Sequence, residues 1–316
     1  MPSKANPKRL NRSEVSLETL AEAFEGAGYV PEKGETAVRL TSLKDGGAID
    51  CTLNGHFVQL TATLETDPAW SRESLLEASN AFNVEHLASA TKLFIAMPGT
   101  TNAAGMGRFP GYATIEAYAS YEHDLDLDNL IALLYSLEDA IAEALTGDGP
   151  WHLVGGMRHT TVHYRVAPGG KRVKASAARK RLPLERVSGN EIRKALEAAY
   201  FLIDESNRQG CVVRCGSTSV NCAWRYGHEP AVFMFAPIEI SPHMPEVKVN
   251  EAVNGLNEAL LGVTAYALPA PDGSRALAFG TVVSTDCGLN RLELASQVQR
   301  VAGAMRTLGW TSDVTE

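Results

Sequence analysis

The chain has 316 residues, 45% hydrophobic and 21% charged, with a formal net charge of −8. That is a globular composition with room for two domains, each able to bury its own core. No run approaches the ~20 consecutive apolar residues of a membrane helix, residues 1–12 are polar and basic rather than a secretory signal, and five cysteines do not make a disulfide framework, so the expectation is a cytoplasmic protein with reduced thiols.

The first predicted helix carries Leu17, Leu20, Ala21 and Phe24 at helical spacing and ends at Gly26 and Gly28. Three strands follow, over about residues 36–41, 48–53 and 56–65, joined by hairpin turns at Asp45-Gly46-Gly47 and Asn54-Gly55. A helix over 71–86 turns Leu75, Leu76, Phe82 and Leu87 inward, and strands over 90–97 and 112–121 come next. From Asp126 a long helix presents Leu130, Leu133, Leu134, Leu137, Ile141 and Leu145 as one apolar stripe.

The order then recurs, at a spacing of roughly 160–175 residues. Ser188 and Glu191 have the capping-box spacing, and Ile192, Leu196, Ala199 and Ile203 continue that helix. Strands over 210–215, 219–226 and 231–240 follow, then a helix with Val249, Val253, Leu256 and Leu260. Strands over 263–268 and 275–284 precede a last helix carrying Leu289, Leu292, Val298, Val301, Ala302, Met305 and Leu308. Each copy therefore reads helix, three strands, helix, two strands, helix: an α+β unit with helices on one face of an antiparallel sheet. The predicted organisation is a first domain over 13–147, a connection over 148–187 and a second domain over 188–310, packed as an intramolecular pseudo-dimer. The expected solution state is a monomer with an internal pseudo-two-fold, or a weak dimer.

In the connection, residues 157–166 alternate and predict one more strand, while 167–186 carry Gly169-Gly170 and a run of Lys and Arg. Residues 1–150 have a net charge of −12, residues 151–190 of +8 and residues 191–316 of −4. An acidic first copy disfavours nucleic acid, because phosphate neutralisation needs clustered cations. The basic stretch is the exception: it could touch nucleic acid or an acidic membrane, or equally dock against the chain's own acidic first copy, although such runs are usually solvated.

The marker of the repeat is a helical Asn-x-x-Asn: Asn80, Phe82 and Asn83 in the first copy, Asn254, Leu256 and Asn257 in the second. The first follows the strand over 56–64 and precedes Leu93-Phe94-Ile95; the second precedes Tyr266-Ala267-Leu268. With the terminal amphipathic helices, this pattern resembles the YbjN family of bacterial proteins, described as proposed sensory-transduction regulators and similar in fold to class I type III secretion chaperones. The resemblance covers most of both copies and not residues 151–187. It implies a binding or regulatory protein without known chemistry, in which one chain supplies both halves of a chaperone-like dimer around a protein or peptide partner.

The candidate sites are few. Asparagines three apart share a helix face and are read first as holding an adjacent strand or loop. On a strand, His159 and His163 stand ~13 Å apart, too far for one zinc ion. The same spacing removes Cys211 with Cys215, while Cys215 and Cys222 could approach across a hairpin. Cys51 and Cys287 have no neighbouring base. The run Glu122, Asp124, Asp126 and Asp128 lacks the glycine and terminal glutamate of a calcium loop and suits a helix start. No catalytic, cofactor or metal residue is assigned. The loop over 98–111 is longer than its counterpart over 269–274 and is no Walker loop. Its Met106 and Phe109, with Tyr112, are the candidate apolar contact for a peptide, against a disordered insertion as the alternative; Phe233 and Phe235, on one face of a strand, are read first as core and otherwise as a second candidate surface.

Overall fold

In the first copy, strand β1 (Arg9–Asn11) and a 3-10 turn lead into helix α1 (Leu17–Gly26). Strands β2 (Glu32–Lys33), β3 (Ala37–Thr41), β4 (Ala48–Asn54) and β5 (Phe57–Thr66) follow, then helix α2 (Arg72–Glu85). Strands β6 (Thr91–Ala96), β7 (Tyr112–Ser120) and β8 (Asp124–Asp126) lead to helix α3 (Leu127–Ala144), with β9 (Trp151–Leu153) beyond it. The second copy runs α4 (Gly189–Ala198), β10 (Leu202–Ser206), β11 (Gly210–Cys215), β12 (Thr218–Arg225) and β13 (Ala231–Ile240). It continues with α5 (Glu246–Ala259), β14 (Thr264–Pro269), β15 (Arg275–Ser284) and α6 (Arg291–Leu308). This computed structural model describes residues 9–86, 90–96, 111–146, 149–154, 187–225, 231–241, 243–269, 275–285 and 289–308. The expected strand over 157–166, the basic stretch over 167–186, Leu87 and Cys287 lie outside them.

The tandem α+β architecture is present, with one addition common to both copies and the short strands β1, β8 and β9 in the first. Each copy has a fourth strand after its first helix, β2 or β10, at a sheet edge. Neither alternates: β2 is exposed throughout, and β10 half-buries Ile203, which the spacing assigns to the preceding helix, and exposes the rest. The Asn54-Gly55 turn is displaced by one residue, since Asn54 pairs with Phe57 and the loop is Gly55-His56. Gly55 has φ +61°, the left-handed conformation that favours glycine there. The acidic run does serve a helix start. Asp126 caps α3 by accepting the Asp128 and Asn129 amides at 3.0 and 3.2 Å. Arg9 lies 3.9 and 3.7 Å from Asp124 and Asp126, because β1 pairs with β8.

By its contacts the chain forms two compact units, Met1–Trp70 with Ala96–Pro183, and Ser71–Ile95 with Leu184–Glu316. In the first, β2-β3-β4-β5-β7 are neighbours in antiparallel order, and β9 pairs with the end of β5. Alternate residues Val58, Leu60, Ala62 and Leu64 of β5 are buried, as are Leu20 and Phe24 of α1 and Leu130, Leu134, Leu137 and Ile141 of α3. In the second unit the sheet order is β10-β11-β12-β13-β15-β14. Val220, Cys222, Val232, Met234 and Phe279 join Ile192, Leu196, Leu294, Val298 and Val301 of the helices in one core.

The first helix of each copy ends in the same turn, with one telling exchange. After α1, Gly28 donates to the Glu25 carbonyl and Tyr29 to that of Phe24, both at 3.0 Å. After α4, Tyr200 donates to Glu197 at 3.0 Å and Phe201 to Leu196 at 3.2 Å. Both are Schellman turns, whose left-handed residue is ordinarily glycine. Gly28 fills it at φ +96°; Tyr200 fills it at φ +64° and strains against its own Cβ, at about 1 kcal/mol.

Candidate functional site

The two Asn-x-x-Asn motifs, expected to hold neighbouring strands, do so twice over. Within the second unit, Asn83 of α2 accepts the Leu93 amide at 2.7 Å and donates to the Leu93 carbonyl at 2.8 Å. Asn257 of α5 treats Ala265 identically, at 2.7 and 2.8 Å. The leading asparagines cross over. Asn80 accepts the Ala267 amide at 2.9 Å and donates to its carbonyl at 3.3 Å, while Asn254 does the same to Ile95 at 2.7 and 3.1 Å. A side-chain amide thus replaces a neighbouring strand's hydrogen bonds at four backbone positions of β6 and β14.

Lys92 adds a one-sided contact to this arrangement. It is 2% exposed, and its ammonium donates to the Asn257 carbonyl at 2.5 Å and to that of Leu260, with the Phe94 ring 5.6 Å away. A cation is favourable at the carbonyl end of a helix, here α5. Thr264 stands at the matching position of the second copy, two residues before Tyr266 as Lys92 is two before Phe94.

The sheet faces turned away from these cores differ in chemistry. The interval from β5 to α2 equals that from β13 to α5, so Gln59 and Thr61 correspond to Phe233 and Phe235. Register places Tyr118 and Glu116 beside the first pair, and Val282 and Gly280 beside the second. In the first copy Gln59 donates to the Glu116 carboxylate at 2.7 Å, the Tyr118 hydroxyl donates to its other oxygen, and Asn54 donates to Gln59 at 3.2 Å. Burial and the Glu116 charge push the Tyr118 phenol well above its usual range. In the second copy the rings of Phe233 and Phe235 stack at 5.2 Å with 19° between planes. A Cβ at Gly280 would stand 3.2 Å from Phe233 and 2.7 Å from the Tyr266 hydroxyl, so glycine lets both rings lie on the sheet. That hydroxyl is buried without a hydrogen-bond partner among the described residues, an expensive state for a polar group.

The first unit also buries acid. Glu138 of α3 is 1% exposed and accepts the Leu43 amide at 2.6 Å. Burial raises its pKa against that bond, and the neighbouring Asp45 charge adds to the rise. Burial likewise raises Asp45, which accepts the Gly47 amide at 2.6 Å. Both groups hold protons to higher pH folded than unfolded, so the folded state binds more protons. Their contribution to stability is complete below the unfolded carboxylate range and declines as pH rises through the folded values. Glu138→Gln keeps an acceptor for Leu43 and removes one titration. Urea unfolding from acid to neutral pH is expected to show a shallower decline and higher neutral stability; an unaltered slope would refute this.

Of the predicted contact residues, Met106 and Phe109 lie outside the described residues. Tyr112 opens β7 opposite Glu65, 43% exposed, in the first unit; Phe233 and Phe235 are in the second. The phenylalanines are half-buried on the face opposite Val232, Met234 and Ala236, and do not belong to the core. Tyr266 is the residue that sequence reasoning passed over, since its place beside Phe233 follows only from the β13-β15-β14 order. His159 and His163 also lie outside the described residues. Cys222 faces Cys211 across the β11-β12 pair, and Cys215 faces Thr218 instead. Burial pushes the Cys51 thiol up to about 12. No group of three potential metal ligands occurs among the described residues.

No protein-family model matches the sequence, and no curated protein matches it. Among solved structures, the chain is similar to YbjN from E. coli, a proposed transcription regulator, at 16% identity and a TM-score of 0.34, over 41% of this chain and 91% of that one. It is similar to an uncharacterized protein from Methanothermobacter thermautotrophicus at 16% identity and a TM-score of 0.31, over 40% of this chain and 96% of that one. The resemblance to YbjN-like proteins is one of fold. Among the described residues no helix is long and apolar enough to cross a membrane.

Proposed function

We propose that this is a non-catalytic cytoplasmic protein that binds a peptide or protein segment in a chaperone-like or regulatory role. The supporting observation is the aromatic face of the second copy: stacked Phe233 and Phe235, with Gly280 beneath them. Apolar rings give affinity without demanding a particular partner sequence. Duplication leaves the first copy free to keep a self-satisfied polar face as scaffold while the second binds.

The test is an immobilised array of short peptides probed with the purified full chain. Phe233→Ala with Phe235→Ala is expected to weaken retention about tenfold or more, as for other aromatic contacts, while Thr61→Ala in the first copy leaves it unchanged. Undiminished retention by the double variant would end this reading. A small-molecule sensor or enzyme is the second reading, favoured by the buried Glu116 carboxylate with Gln59 and Tyr118. Those groups already satisfy one another, so they leave little for a ligand. A ligand whose binding depends on Glu116 and not on Phe233 would favour that second reading.

A further inference from the structure

The two copies treat the outer edge of their sheets in opposite ways. Counting from the Schellman turn, Gly28-Tyr29-Val30-Pro31-Glu32-Lys33 corresponds to Tyr200-Phe201-Leu202-Ile203-Asp204-Glu205. Proline offers no amide proton, and natural sheets use it with short strands to stop an edge from recruiting another chain. The first copy has both devices, Pro31 and the two-residue β2. The second has Ile203 and the five-residue β10, whose one irregularity is the register shift between Ile203 and Glu205. Among the described residues β10 pairs only with β11, and β11 only with β10 and β12. Beside this edge stand the two most exposed large apolar side chains among the described residues, Tyr200 at 96% and Leu202 at 66%. Tyr200 holds that position in a backbone conformation its counterpart satisfies with glycine, and strain kept at an exposed aromatic points to use.

We infer that β10 is a docking edge for an extended segment of a partner protein, apolar at alternate positions and carrying Lys or Arg opposite Glu205. An open strand edge accepts extended backbone, and Tyr200 and Leu202 supply apolar contact along it. The charge follows from the acids. Asp204 is engaged by Arg214 at 2.9 Å, whereas exposed Glu205 has no such partner among the described residues. A second copy of this chain fits poorly, because two antiparallel β10 strands would set acidic residues against acidic residues. This inference rests on the peptide-binding reading and assigns it a second contact, the edge, beside the aromatic face.

The probe is a fluorescein-labelled peptide alternating valine with lysine and threonine, titrated by anisotropy into the full chain, with a glutamate-for-lysine peptide beside it. The lysine peptide is expected to bind more tightly and to slow amide hydrogen exchange along β10, a readout that needs no variant. Ile203→Pro, which copies the first copy's device, and Tyr200→Gly are each expected to weaken binding about tenfold. Tyr200→Gly should at the same time raise the melting temperature, separating lost contact from lost folding. Glu205→Lys should reverse the preference between the peptides. Unchanged exchange in β10, or full binding by both edge variants, overturns the edge. If Phe233→Ala abolishes binding while both edge variants bind fully, the peptide-binding reading survives and the edge does not. If neither peptide binds the wild-type chain, the edge falls, while the peptide array decides the broader reading separately.

Discussion

Asn257→Ala is expected to destabilise the protein by about 3 kcal/mol, since it strands one buried amide N–H and one buried carbonyl, and Asn83→Ala by about 2 kcal/mol, since Ser79 still donates to the Leu93 carbonyl at 2.9 Å. Both asparagines are fully buried and make two bonds of 2.7 and 2.8 Å to a single residue. Both positions are closed to bulk solvent, so the loss is that of leaving polar groups unpaired rather than of two ordinary hydrogen bonds. Asn254→Ala should rank close behind, and Asn80→Ala clearly lower, because Asn80 is only half-buried and its donor bond is 3.3 Å long. Thermal unfolding of the four variants gives the ranking. Equal melting temperatures for Asn83→Ala and the wild type would show that the motif is not what secures β6.

Lys92→Met is expected to lower stability by a comparable amount, about 3 kcal/mol, from lost charge-assisted hydrogen bonds and the carbonyls they leave unpaired. Methionine keeps most of the stem's shape, so the change isolates the ammonium. A buried lysine is itself costly to desolvate, which opposes the effect and makes the experiment informative. The two bonds to the carbonyl end of α5 are expected to prevail over that desolvation. The matching change at Thr264 should do far less, which distinguishes a one-sided contact from a general sensitivity of β6 and β14. A melting temperature equal to or above that of the wild type would mean that desolvation dominates and that Lys92 serves something other than stability.

Much of the architecture could be read from residue order, and the reasons are local. Ser188 and Glu191 announce a helix start because the two bonds they form lie within four residues. Strands such as β5 declare themselves by alternation, since every second residue is buried. The strand β10 escaped because Asp204 and Glu205 break any alternation, and Tyr200 because a left-handed backbone leaves no mark when glycine is absent. The asparagines were legible as structural, but not that the leading one of each pair reaches the other copy's strand. The candidate site was least visible. Phe233 and Phe235 stand out as aromatic residues on one side of a strand, whereas Gly280 and Tyr266 join them only through strand order. The contrast with Gln59, Thr61, Glu116 and Tyr118 emerges once the registers of both sheets are known.

The exchange of Asn80 and Asn254 also governs how the protein can be made. Asn80 and Ala267 are separated by 187 positions, and Ile95 and Asn254 by 159. On the ribosome, α2 and β6 emerge long before α5 and β14 exist, so the nascent chain must carry a half-finished core until those later elements have been translated. Contacts this distant are slow to form because the intervening loop must first close. During that delay the apolar side of α2 is open to the wrong neighbour. Early growth conditions that slow translation, or truncation by a premature stop after residue 184, would therefore harm yield out of proportion to the residues lost.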